Sequence, residues 1–163
     1  MPLETTTCVR TANSLADYTR RELIVHQLCE RDAAGIIGEL SRVLGRWECV
    51  PDVLSFYQAA LNQELLSDSA GGSGLAVAHA RMGGIKRLLF ASGRTASPVV
   101  WSANNSCRVQ LIFLLAVPGG ETSRYLQLLA SLAKLGQNPE TVAQLLAAPD
   151  GAAIMAVLKE VPL

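Results

Sequence analysis

The sequence predicts a single α/β domain of three layers, with a central mixed sheet of about five strands and helices on both faces. Three observations predict it. At 163 residues the chain has room for one sizeable core, and two would be hard to fit. Hydrophobic residues make up 50% and charged residues 17%, a balance that folds rather than stays disordered. The apolar pattern also changes period along the chain, from helical spacing to short strand-like runs and back to helical spacing.

Taken in order, residues 1–13 are polar and read as a loosely ordered segment before a domain over 14–163. Residues 14–20 suit a short helix leading into a compact apolar run at 23–28, which suits a strand. Asp32 can cap a helix whose Ile36, Ile37, Leu40, Val43 and Leu44 fall at helical spacing, with Gly45 marking its end. Pro51 and Asp52 open a second helix reaching Leu66, with Val53, Leu54, Phe56, Tyr57, Ala60 and Leu61 available for one face. Residues 67–74 form a turn-prone loop of small residues. Strand-like runs follow at 75–80, 88–92, 99–101 and 109–117, and Pro118-Gly119-Gly120 closes the last. Thr122 or Ser123 can cap a helix through Lys134, with Leu126, Leu129, Ala130 and Ala133 on one face. Pro139 and Pro149 sit near the starts of two final helices, where a missing N–H costs little.

Composition excludes several classes. Basic and acidic residues balance at 14 each, so no global field attracts nucleic acid. The longest apolar run, at 111–117, is seven residues and too short to cross a bilayer. The first ten residues lack the cationic start and apolar stretch of a signal peptide, so a cytoplasmic protein without direct membrane insertion is expected. Cys8, Cys29, Cys49 and Cys107 form no C-x-x-C pair, which argues against a metal site and for free thiols, Cys29 reading as core. Trp47 and Trp101 are isolated, and the glycines at 71, 72 and 74 make no nucleotide-binding motif, so no cofactor is expected.

The chemistry-bearing stretch is Gly74-Leu75-Ala76-Val77-Ala78-His79-Ala80-Arg81, where an apolar strand ends in a histidine flanked by alanines. Small neighbours leave an imidazole edge open to a large partner. One ring nitrogen is a competent nucleophile near neutral pH, while the other can donate a hydrogen bond that fixes the tautomer. An ordinary strand-end histidine is the alternative on local sequence alone. His26 lies inside the first strand-like run with no acid at catalytic spacing and reads as structural.

The wider pattern resembles the phosphotransferase-system enzyme IIA of the fructose, mannitol and nitrogen-regulatory branch. Gln63-Glu64, then Ser69, then 74–81 are similar to that family's Arg-Glu, Ser/Thr-Gly loop and Gly-Ile-Ala-Ile-Pro-His segment. Residues 108–118 resemble its last strand and terminal proline, and 119–135 the helix packed beside the active histidine. The resemblance implies a phosphocarrier: His79 would accept a phosphoryl group from an HPr-like carrier and pass it to a permease subunit, or hold it as a signal to a kinase or sensor. A domain without an attached permease segment resembles the nitrogen-regulatory type more than a sugar-specific one.

The departures lie where the chemistry should be. Gln63 stands for the family's arginine, Ala78 for its proline, and Tyr125 for a second histidine whose ring should lie near His79. Transfer needs positive potential and positioning, for which Arg81, Arg124, the Ser69 hydroxyl and amides at Thr122 and Ser123 are the candidates. The alternative is a degenerate, non-phosphorylated module that keeps the fold and binds a regulatory partner. The chain is an enzyme, a protein-histidine phosphotransferase, only under the first reading.

Overall fold

Asp32 starts the first long helix, its Oδ1 accepting the Gly35 amide at 2.7 Å. The computed structural model describes residues 12–66, 70, 73–102 and 105–163. Helix α1 (Ala33–Arg46) buries Ile36, Ile37, Leu40 and Leu44, the stripe its spacing predicts. Gly45 lies within its last turn rather than beyond it, because a Cβ there would collide with Val53 of the next helix. Asp52 opens helix α2 (Val53–Leu66) by accepting the Leu54 and Ser55 amides at 3.1 and 3.2 Å.

Among the described residues the sheet has four strands rather than five: β1 (Ile24–Val25), β2 (Leu75–Met82), β3 (Leu89–Ser102) and β4 (Asn105–Pro118). Their order is β1-β3-β4-β2, with β1 parallel to β3, β2 parallel to β4, and β3 antiparallel to β4. The runs at 88–92 and 99–101 are one strand whose pairing with β4 slips between Arg94 and Val99. Pro98 and the polar residues beside it hide this continuity in the sequence. The strand expected at 23–28 shrinks to two residues; Leu23 ends a 3-10 turn (Arg21–Leu23), and Leu28 folds over Gly93, its amide bonded to the Arg94 carbonyl at 2.8 Å. The short helix expected at 14–20 is likewise a 3-10 turn (Leu15–Tyr18).

Each sheet face has its own core. On one, α1 and α2 cover Ala76, Ala78, Ala91, Ile112 and Leu114. On the other, Leu75, Phe90, Leu111, Phe113, Leu115 and Val117 pack with the 3-10 turn, α3 (Ser123–Gly136), α4 (Pro139–Ala147) and α5 (Gly151–Lys159). Helix α3 buries Tyr125, Leu128, Ser131, Leu132 and Leu135; of the expected face, Leu129 packs against this core at its margin, while Leu126, Ala130 and Ala133 are exposed. Pro139 takes the first position of α4, and Asp150, just after Pro149, caps α5 by accepting the Ala153 amide at 2.9 Å. Cys29, expected in the core, is exposed, and Cys49 is buried instead.

The candidate phosphoacceptor site

His79 lies on β2, at the edge of the sheet opposite β1, paired with Leu115 of β4. The strand does not end at it but continues for three residues to Met82, whose partner is Pro118. Strand alternation decides which way the ring points. Ala76, Ala78 and Ala80 enter the α1–α2 core, so His79 and Arg81 face the α3 side.

There the first turn of α3 supplies Tyr125. Its ring centroid is 5.3 Å from that of His79, with the planes tilted by 48°. The Arg81 guanidinium carbon lies 5.4 Å from the same tyrosine centroid, a cation–π distance. Histidine, tyrosine and arginine thus form one cluster, with His79 half-buried, Tyr125 buried and Arg81 exposed. From α2, Glu64 acts on His79 through space.

Electrostatics favour a neutral imidazole. Burial pushes the His79 pKa below its usual value, and the Arg81 charge adds to that; the Glu64 carboxylate pulls the other way. The uncharged ring, with a lone pair on one nitrogen, is therefore the favoured form near neutral pH. Burial also raises the Tyr125 pKa, partly offset by Arg81, so the phenol stays a hydrogen-bond donor.

The other sequence candidates are not all brought here. Gln63 is half-exposed on α2 beside Glu64 and makes no hydrogen bond among the described residues. Ser69 lies outside the described residues. Arg124 follows Tyr125's neighbouring face, lining a groove with Tyr18, Lys86 and Arg87 rather than the His79 cluster. At the start of α3 the Glu121 carboxylate is already seated, its Oε1 accepting the Arg124 amide at 3.1 Å.

One contact was not anticipated from sequence. Trp101, read as isolated, is buried and donates from Nε1 to Glu64 Oε1 at 2.6 Å. This fixes the carboxylate that opposes the loss of basicity at His79. The available signal was that a buried tryptophan needs a partner for its N–H, but nothing local named Glu64.

Comparison with known proteins completes the picture. Residues 17–161 match the family described as phosphoenolpyruvate-dependent sugar phosphotransferase system, EIIA 2. The fructose-specific EIIABC component of Bacillus subtilis is 26% identical over 130 residues, which are 80% of this chain and 20% of that protein. A nitrogen regulatory protein of Bradyrhizobium diazoefficiens is 28% identical over 102 residues, 63% of this chain and 67% of that one. The nitrogen regulatory protein IIA-Ntr of Neisseria meningitidis superposes with a TM-score of 0.81 at 25% identity, covering 88% of this chain and 98% of that one. The chain therefore spans about a fifth of the Bacillus protein's length and nearly all of the Neisseria one. With the family match running from Asp17 to Val161, the chain belongs to the EIIA type 2 family of the phosphoenolpyruvate-dependent phosphotransferase system.

Proposed function

We propose that this chain is a cytoplasmic phosphoryl carrier in which His79 accepts a phosphoryl group from a histidine-phosphorylated, HPr-like protein. The observation that carries the reading is a half-buried, preferentially neutral imidazole on an edge strand, with Tyr125 and Arg81 packed against it. In the transfer, the donor's P–N bond breaks as a P–N bond forms to one ring nitrogen of His79. Arg81 supplies positive potential to the transferring group, and the Tyr125 hydroxyl can donate to one of its oxygens. Likeness to both sugar-specific components and nitrogen regulatory proteins supports either a permease subunit or a regulated kinase or sensor as the onward partner.

The test is labelling with phosphoenolpyruvate, enzyme I and an HPr-like carrier. One acid-labile phosphoryl group should appear, and His79→Ala should abolish it. Gln63, Ala78 and Tyr125, standing where the family has other residues, favour the second reading of a non-phosphorylated binding module. Wild type that stays unlabelled with a carrier shown to label another IIA protein would establish that reading instead.

A further inference from the structure

The sheet end where β2 and β4 finish carries cations that the rest of the fold does not use. A groove of about 790 Å³ opens there between the Leu15–Tyr18 turn, the β2–β3 connection and the start of α3. Lys86, Arg87 and Arg124 line it, and among the described residues none of the three forms an ion pair or side-chain hydrogen bond. Two carboxylates also line it, but both serve backbone amides. Asp17 Oδ2 accepts the Asn13 and Ser14 amides at 2.7 and 3.0 Å, and Glu121 Oε1 accepts the Arg124 amide. The acids keep their charge, so three cations face two carboxylates and the lining holds an excess of one positive charge.

We propose that this groove is a binding site for a small, multiply charged anion of the phosphate or polyphosphate class, distinct from the His79 cluster. Guanidinium groups offer paired donors to phosphate oxygens, and the lysine offers a point charge. The Tyr18 hydroxyl makes no hydrogen bond among the described residues. Burial keeps that phenol protonated against the pull of Arg124, so it adds an unused donor to the wall. The floor at Gly120 is open, with no atom within 4 Å of where a Cβ would stand. The Tyr18 ring itself is buried, which leaves no aromatic face here for a base and favours a compact ligand. The site does not depend on His79 being phosphorylated.

A built-in control follows from the neighbouring groove of about 540 Å³, which shares Lys86 and Arg87 but has Arg20 in place of Arg124. There the Arg20 Nη2 already donates to Cys49 Sγ at 3.2 Å. The experiment is titration of the full chain with pyrophosphate at low ionic strength, followed by calorimetry and amide chemical shifts. Saturable binding should move the Gly120 and Gln127 amides. Arg124→Ala should weaken it about tenfold, the loss expected for one charge-assisted contact, and Lys86→Ala with Arg87→Ala should weaken it further. Arg20→Ala and Arg81→Ala should bind as wild type, with circular dichroism checking that every variant is folded. Loss on Arg20→Ala would move the anion to the second groove, and loss on Arg81→Ala to the His79 cluster; either overturns the proposal. So would equal weakening by all four changes, or no saturation, which would reduce the effect to general screening.

Discussion

His79 takes its character from three neighbours of different kinds: an aromatic lid, a cation on its own strand and an anion on α2. Their signs give a first prediction. Carbon-detected titration of the imidazole should show a midpoint below 6.5, the ordinary value. Glu64→Gln should lower it further, because the charge that favours the imidazolium is removed, and Arg81→Gln should raise it. An unchanged midpoint in both variants would mean that burial alone sets the value. The same displacement links to stability. Folding favours the neutral ring, a contribution present above the unfolded value and lost as pH falls through the folded one. A second prediction concerns Gln63, which adds no charge where the family has an arginine. If His79 is the proposed phosphoacceptor, Gln63→Arg should speed its labelling on the order of ten- to a hundredfold, the worth of one charge-assisted contact, measured as initial labelling rate. An unchanged rate would leave Arg81 or the partner to supply the charge. Much of this cluster was legible because His79, Arg81 and Tyr125 fall at spacings the family shares. Trp101 and the diversion of Arg124 were not, since both depend on which residues meet across the sheet.

At the scale of elements, one arginine ties together parts far apart in sequence. Arg94 of β3 donates from Nη1 to the Leu145, Leu146 and Ala148 carbonyls at 2.8, 3.1 and 2.7 Å. Its Nε donates to the His26 carbonyl at 3.0 Å. It thus caps the C-terminal end of α4, whose last carbonyls have no partner within the helix, and pins the chain leaving β1. Arg94→Ala should cost about 2–3 kcal/mol in denaturant unfolding, and Arg94→Lys should recover little, since an ammonium cannot span the same fork of acceptors. Recovery by lysine would show that charge near the helix end, not geometry, is what counts. The sequence revealed caps of the local kind, at Asp32 and Asp52, because their partners lie within three residues. It could not reveal Arg94, whose partners lie about fifty or more residues away. The face of α3 was obscured for another reason. Leucines and alanines fill two stripes of that helix, and the stripe with Tyr125, Leu128, Leu132 and Leu135 offers the larger side chains to the core.

For the molecule as a whole, β4 decides how the two cores behave. Its apolar run reads unmistakably as a strand buried on both faces, and it occupies an interior position in the sheet. Successive residues feed opposite layers: Ile112, Leu114 and Ala116 enter the α1–α2 core, and Leu111, Phe113, Leu115 and Val117 enter the other. The strand cannot unfold for one layer and persist for the other, because one backbone holds both sets. The layered architecture was legible for that reason, whereas the number of strands was not, since the irregularity in β3 looks like a break between two. The prediction at this scale uses two adjacent leucines, both fully buried. Leu114→Ala and Leu115→Ala empty space in different cores, and each should cost about 2–5 kcal/mol. If the layers form one cooperative unit, both should lower a single unfolding midpoint, with an unchanged dependence on denaturant. Tryptophan fluorescence from Trp101 in the first core and near-ultraviolet signals from Tyr18 and Tyr125 in the second should then fall together in either variant. Two separated transitions, with Leu115→Ala moving only the tyrosine signal, would show that β4 does not couple the layers and that the helices α3 to α5 detach first.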